Sequence, residues 1–472
     1  PRLSIGKRAR AYCLPVVRAR AAPTRCTKAV QRAVSVLPCQ SVRACAALAL
    51  CRLSGHPVHA LSRIPSAPTW DKMLFNGKIC HKNGNLGNEK NQKELAELLA
   101  HQRSQNDMAE NKVVHAAQRA AFSVAIDAAI KAVRGKGTEH MTEEAVKLIN
   151  LAEPLLSKRY KASAFDAARK FVQDPNGKWM EYAYRAINEI DPHILKMNVL
   201  NLGYEGMFSG YNYVMELRKK YDCNMPWILL FDPTASCNLH CKGCWAAEYG
   251  KTLNLTYEEM DKLVTEGEEL GIHWYMCTGG EPMCRKNDLL KLAAAHQNSV
   301  FHLFTNGTLI DEEFCKEVQK VGNMAFFISI EGIGDATDDR RGKGVFDKVM
   351  HAMDLMQKYG LLYGTSICYT SQNYKAVTSD EFIDMLISHG VRFNWYFHYM
   401  PIGDGANVDL MLNAEQREYM IHRVREIRGL TGGKQIFCID FQNDGEYIDG
   451  CIAGGRQYAH INPAGDVEPC VF

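Results

Sequence analysis

Between Pro226 and Gly403, short apolar runs alternate six times with helical stretches. The runs are Pro226–Phe231, His273–Cys277, Phe301–Phe304, Met324–Ile330, Leu361–Cys368 and Arg392–Tyr399. Each is short, apolar and bounded by turn residues, the pattern of a strand buried on both faces. The stretches between them carry helix punctuation. Thr256 and Glu259 form a capping box, and that helix stops at Gly271. Asp311 is placed to cap a helix that stops at Gly322, Val345–Tyr359 ends before Gly360, and Thr378 with Glu381 opens a helix that ends at Gly390. Strand–helix repetition of this kind implies parallel strands joined by right-handed crossovers. The expected fold class is α/β, six β/α units on a parallel sheet. In such folds the reactive site lies beyond the C-terminal ends of the strands.

The chemically unusual residues sit in those end loops. The first strand runs into Cys237-Asn-Leu-His-Cys241-Lys-Gly-Cys244-Trp245, three thiols spaced C-x3-C-x2-C. Zinc sites more often use C-x2-C pairs in two knuckles, so one triplet behind a buried strand favours an iron–sulfur cluster over zinc. Three thiolates leave one iron of a four-iron cluster open. His240 abuts Cys241, too close for both to reach one cluster. Gly279-Gly280-Glu281-Pro282 follows the second strand, Thr305-Asn306-Gly307 the third, and Ser329-Ile-Glu331-Gly332 the fourth, with Arg340-Arg341-Gly342 close behind. Paired glycines let backbone approach a ligand closely. A glutamate offers an ammonium a charge-assisted acceptor, and an arginine suits a carboxylate.

Over Pro226–Gly403 these motifs together resemble the radical SAM enzymes. The resemblance implies a partial (β/α)6 radical SAM barrel with a [4Fe-4S] cluster on Cys237, Cys241 and Cys244, and S-adenosylmethionine chelated to the open iron. It further implies that Gly279, Gly280 and Glu281, with Pro282 closing their loop, hold the methionyl amino group. Trp245 would lie beside the adenine, Asn306 would belong to the cofactor wall, Ser329 or Glu331 would reach the ribose or carboxylate, and Arg341 the carboxylate. The family often carries Asp where this chain has Glu331. The implied chemistry is reductive cleavage of the sulfonium to a 5′-deoxyadenosyl radical, which takes a hydrogen from an unactivated carbon. It implies an electron donor such as flavodoxin or ferredoxin, and a peptide or small-molecule substrate in a maturation or cofactor-biosynthesis reaction. An iron–sulfur electron-transfer or scaffold protein is the non-enzymatic alternative, and Gly279–Pro282 argues against it.

Beyond a helix near Asn413–Arg428 and a strand near Gln435–Phe441, Cys451 and Cys470 flank an alternating segment with a Pro-Ala-Gly turn, which reads as a hairpin. Cys, thirteen residues, Gly, four residues, Cys resembles the opening of the SPASM/twitch extension, which implies an auxiliary iron–sulfur site on Cys451 and Cys470 and a truncated extension. Cys284, just past the Gly-Gly-Glu-Pro loop, is a candidate catalytic thiol. The segment Asn394–Met400 is aromatic and is expected to line a substrate or adenosyl pocket.

Ahead of the barrel, Lys93–Ser104, Asn111–Val133, Thr142–Leu156, Ala162–Val172 and Lys178–Ile190 show helical periodicity. Ala116–Val133 is apolar nearly all round and reads as a buried helix. His115 within it is a weak ligand candidate. Residues 1–70 hold twelve Lys/Arg and no Asp or Glu, whereas the rest of the chain is acidic by nine charges. Residues 1–75 read as a disordered or non-native leader, 76–222 as a helical accessory domain, 223–430 as the barrel and 431–472 as the extension. A mildly acidic body gives no reason to invoke nucleic acid. No apolar run reaches 18 residues, so no membrane span is expected. Seventeen cysteines without a short-range even array suit a reducing, cytoplasmic setting.

Overall fold

The computed structural model describes residues 107–157, 161–174, 177–246, 250–402, 406–429 and 433–471. The basic leader and the expected helix at Lys93–Ser104 lie outside them. The described strands form one sheet. In chain order they are β1 (Ile228–Phe231), β2 (Trp274–Cys277), β3 (Val300–Thr305), β4 (Met324–Ser329), β5 (Tyr363–Tyr369), β6 (Phe393–His398), β7 (Phe437–Asp440), β8 (Tyr458–Ile461) and β9 (Val467–Glu468). Their spatial order is β7-β6-β5-β4-β3-β2-β1-β8-β9. Every pairing is parallel except β8 with β9. The six expected strands are therefore the middle of a wider sheet. The C-terminal hairpin forms, but β8 also pairs parallel with β1, Ile228 opposite Tyr458 and Phe231 opposite Ile461.

Alternation along each strand sorts side chains between two apolar layers. Leu229, Phe231, Tyr275, Cys277, Phe301 and Leu303 pack outward against the helices in the main core. Ile228, Leu230, Met276 and Tyr458 point the other way and meet Phe304, Trp395, Phe441, Ile452 and Val471. The runs are continuously apolar because both faces are covered. Local punctuation mostly follows the sequence. Thr256 and Glu259 make the capping box, and the Asp311 side chain accepts from the Phe314 amide. At Asp380–Ser388, however, Ser379 is the N-cap in place of Thr378, because the Ser379 hydroxyl is the group that reaches the Phe382 amide.

The helices ahead of the sheet are α1 (Asp107–Val133), α2 (Gly137–Leu156), α3 (Ala162–Val172), α4 (Lys178–Glu189), α5 (Pro192–Asn198) and α6 (Tyr211–Tyr221), with a π-helical stretch, Val199–Gly210, joining the last two. They dock on the N-terminal ends of the strands. The Asp191 amide donates to the Gly360 carbonyl (2.7 Å). Asn198 Nδ2 reaches Gly322 O (3.1 Å) and Asn201 Nδ2 reaches Ser299 O (3.1 Å). This region thus lies at the opposite end of the sheet from the cysteine loop. Contrary to expectation, α1 is largely exposed among the described residues, with Phe122 at 46% and Val124 at 69%. Its alanines bury little, and it is held by Ile130 and Val133 at its C-terminal end and by polar contacts. His115 Nε2 and Arg119 Nε clamp the buried Glu205 carboxylate at 2.9 and 2.7 Å, which gives His115 a packing role in place of a ligand role.

Candidate functional site

Three strand ends are locked to one another around the cysteine loop. The Gly280 amide donates to Thr234 O (2.9 Å) and the Glu281 amide to Ser236 O (2.8 Å), so the loop after β2 runs against the chain leaving β1. Gly279 has φ +96°, and a Cβ there would stand 2.6 Å from Thr234 O; a Cβ on Gly280 would overlap the carbonyls of Ala235 and Ser236. The glycine pair is therefore required for two chain segments to touch, before any ligand arrives. Glu281, only 1% exposed, is the next tie. Its carboxylate accepts from the Met283 amide (2.9 Å), Thr305 Oγ1 (2.6 Å) and the Asn306 amide (2.7 Å). Asn306 Nδ2 in turn reaches Asn238 Oδ1 (2.8 Å) inside the cysteine loop.

The fourth strand end contributes an ionic clamp. Glu331 is fully buried and accepts from Arg340 Nη1 (2.7 Å), Arg341 Nη2 (2.6 Å) and Arg341 Nε. Those arginines hold its carboxyl below the usual range although burial alone would raise it. Arg341 Nη1 then lies 3.9 Å from Cys241 Sγ, and the Lys242 amide donates to Arg340 O (2.9 Å). Gly243 has φ +65° and lies directly on the Tyr399 ring, where a Cβ would be 2.7 Å from its hydroxyl.

These ties build a cavity of about 230 Å³ at the C-terminal mouth of the sheet. Cys237, Cys241, Cys244, Trp245, Gly279, Gly280 and Glu281 line it, with Asn306, Ser329 and Arg341. Among the described residues no three His, Cys, Asp or Glu side chains close on one point as a single-ion site would require; the three thiols instead share one wall. Burial pushes Cys237 up to about 11 and raises Cys241, the latter offset in part by Arg341 and Arg340. Glu281 is also raised, by burial, against its three hydrogen-bond donors. Buried thiols and a buried carboxyl that resist ionisation suit a site where a cationic cluster and an ammonium bring the missing positive charge. The residues present therefore fit an iron–sulfur cluster beside an amino-acid ligand.

Several expectations need correction. Glu331 is not among the residues lining the cavity; its oxygens accept from the arginine pair and so fix the direction of Arg341. Pro282 is also absent from the wall, heading a buried turn over Pro282–Arg285. Cys284 is exposed and lines a neighbouring depression with Lys286, Thr308 and Asp311, still close to Glu281 and the Asn238 backbone. His240 points outward to Lys251. Cys470 Sγ accepts from the Tyr458 phenol (3.4 Å), and Cys451 lies within electrostatic range of the same phenol.

Sequence reasoning missed the group that joins the tail to the cradle. His460, fully buried on β8, places Nε2 3.0 Å from Asp232 Oδ2 and Nδ1 3.2 Å from Glu468 Oε2. Thr278 Oγ1, on the cavity wall, donates to Asp232 Oδ1 (2.6 Å). Burial lowers the imidazole, but the hydrogen bonds to Asp232 and Glu468 prevail and raise it to about 9. A histidine inside an otherwise apolar strand segment was the available signal.

Residues 231–386 match the Radical SAM superfamily. The chain is 28% identical over 231 residues to the Fe-coproporphyrin III synthase of Methanosarcina barkeri, covering 47% of this chain and 57% of that one. It thus spans little more than half the length of that relative. It is 26% identical over 256 residues to the PqqA peptide cyclase of Granulibacter bethesdensis, covering 52% and 67%. Among solved structures, Streptococcus suis SuiB bound to S-adenosylmethionine superimposes with a TM-score of 0.46 at 16% identity, covering 68% of this chain and 72% of that one.

Proposed function

Because this chain carries a radical SAM domain, we propose that its cavity binds S-adenosylmethionine (SAM) on a cluster held by Cys237, Cys241 and Cys244, and removes a hydrogen atom from an unactivated carbon of a substrate. The observation that carries this reading is the shared wall. Three thiols and the Gly279–Glu281 loop line one cavity and are tied together through Thr234, Ser236, Thr305 and Asn306. When bound, the [4Fe-4S] cluster and SAM supply one-electron cleavage of a carbon–sulfur bond and hence a 5′-deoxyadenosyl radical.

The chain's own share is binding, orientation and exclusion of water. Glu281 has lone pairs left after its three donors and offers them to the methionyl ammonium. Gly279 and Gly280 keep side chains out of the space beside it. Arg341, fixed in direction by Glu331, presents Nη1 toward Cys241 and so toward a carboxylate bound next to the cluster. Ser329 offers a hydroxyl from the fourth strand end and Trp245 an aromatic wall for the adenine. Asn306 holds the cysteine loop through Asn238. Cys451 and Cys470 supply thiols for an auxiliary cluster at the rim, and the reducing electron comes from a flavodoxin- or ferredoxin-type donor. The substrate is a peptide or a small molecule.

The test is anaerobic reconstitution followed by reduction with dithionite in the presence of SAM. 5′-Deoxyadenosine is the expected product, and its absence from protein with an intact four-iron spectrum would sink the proposal. A Cys241→Ala variant that kept that spectrum would overturn the ligand assignment.

A further inference from the structure

We propose that His460 is a positioning residue for the SAM cradle: as an imidazolium it fastens the C-terminal tail to the loop after β2, so that the tail sets the affinity for SAM. The inference rests on the radical SAM reading of the same cavity.

Hydrogen-bond counting fixes the state of the ring. Each nitrogen faces a carboxylate, Nε2 that of Asp232 at 3.0 Å and Nδ1 that of Glu468 at 3.2 Å. A carboxylate only accepts, and a neutral imidazole has one N–H to give. Both contacts are hydrogen bonds only when both nitrogens carry protons. The His460 and Asp232 side chains are fully buried, so bulk water does not replace a missing donor. Asn462 Nδ2 donates to the other Glu468 oxygen (3.1 Å) and steadies the far end of the bridge.

From His460 the bridge reaches the cavity by three routes. Thr278, on the cavity wall, gives its hydroxyl to the second oxygen of Asp232 at 2.6 Å. Gly279 rests on the same side chain, where an added Cβ would stand 2.9 Å from Asp232 Cβ. Trp245, also on the wall, meets the His460 ring edge-on, with centroids 6.4 Å apart. One side chain of β8 thus borders both parts of the cavity assigned to SAM, the loop beside the methionyl end and the ring beside the adenine. The ladder between β8 and β1 places the strand. It does not orient the Asp232 carboxylate. With a neutral ring one carboxylate is left buried without its donor, and the loop resting on Asp232 loses its support. Binding constellations tolerate displacements of only about 0.5 Å.

The charged groups facing the ring are Asp232, from the end of β1, and Glu468, from β9. Their hydrogen bonds outweigh burial and keep the proton on up to about pH 9. The arrangement is therefore intact at neutral pH and is lost as pH rises through that value.

The test is equilibrium dialysis of SAM against oxidised holoenzyme, which does not turn over, from about pH 6.5 to 9.5. It compares the native protein with His460→Gln and Glu468→Gln. A glutamine amide turns its NH2 to one carboxylate and its carbonyl to the other. At neutral pH the native protein should hold SAM about tenfold more tightly than His460→Gln, the equivalent of one hydrogen bond to a charged group. That ratio should fall towards one as pH passes about 9. The SAM amino group and Glu281 are common to both proteins and cancel from it. Glu468 lies outside the cavity, and Glu468→Gln removes one of the two carboxylates that hold the proton. This variant should match the native protein at the acid end and lose SAM at a lower pH than the native protein does. It is the second arm, should His460→Gln fail to fold. Equal SAM affinity at neutral pH, a ratio that does not change with pH, or a Glu468→Gln profile that follows the native one throughout would overturn the inference. Formation of 5′-deoxyadenosine by the native protein is measured on the same preparation after reduction. If the native protein neither retains nor cleaves SAM, the radical SAM reading falls and takes the inference with it; if it does both while these differences are missing, the inference alone falls.

Discussion

The two walls of the cavity are held by different physics. The wall carrying the thiols is fixed by directed polar contacts. Glu281 and Glu331 each accept from donors of another segment, Asn306 donates to Asn238 in the cysteine loop, and Gly279 and Gly280 allow the chains to touch. The wall completed by the tail is placed by the backbone ladder of β8 on β1 and filled by apolar packing of Tyr458, Ile452 and Val471, with a buried ionic bridge through His460. Directed contacts set positions closely, as a reactive centre requires. Apolar packing sets volume and excludes water while tolerating changes of shape. The first wall should therefore fail abruptly on substitution, and the second gradually.

The largest effect is expected at Glu331. Glu331→Gln leaves two buried guanidiniums without their counter-charge, a loss of about 3–5 kcal/mol in folding stability. Chemical denaturation of the unreconstituted protein measures it, and a change below about 1 kcal/mol would mean that the clamp does not hold this wall. Glu281→Ala comes next. It strands the Met283 and Asn306 amides and the Thr305 hydroxyl and should cost about 2–3 kcal/mol, together with loss of SAM retention in equilibrium dialysis. Retained SAM affinity would remove Glu281 from the cradle.

The tail wall is expected to respond to pH. His460 is raised from its usual 6.5 to about 9, so its stabilising contribution is complete below about pH 6.5 and is lost as pH rises to about 9. The amount is on the order of 2–3 kcal/mol. Urea titrations at pH 6.5 and 9 should show this loss in the native protein and its absence in His460→Leu; a parallel loss in the variant would assign the effect elsewhere. The smallest effect belongs to Tyr458→Phe, which removes one phenol-to-thiol contact and should change the melting temperature by under about 4 °C. A larger shift would mean that the rim near Cys451 and Cys470 depends on a polar contact after all.

Much of the first wall was legible in the sequence because its signals are local. Spacing within one loop places Cys237, Cys241 and Cys244 together, and Gly279–Pro282 follows a strand directly. The role of Glu331 was not legible, since only the fold shows that the two arginines ten residues on return to the same carboxylate. For Cys284, nearness in sequence to the Gly-Gly-Glu-Pro loop did not reveal that it lines the neighbouring depression and not the cavity. The exposure of α1 was missed because alanine gives a weak signal of which side is buried.

The sequence by itself determined the strand–helix alternation, the parallel sheet and the set of loops that meet at its mouth. Those follow from short-range periodicity and from the handedness of crossovers. Only the tertiary structure decided that β8 lies against β1 and that Asp232 and His460 meet across 228 residues of chain. Pairing between distant strands depends on which surfaces remain to be buried once the sheet has formed, and no local pattern encodes that.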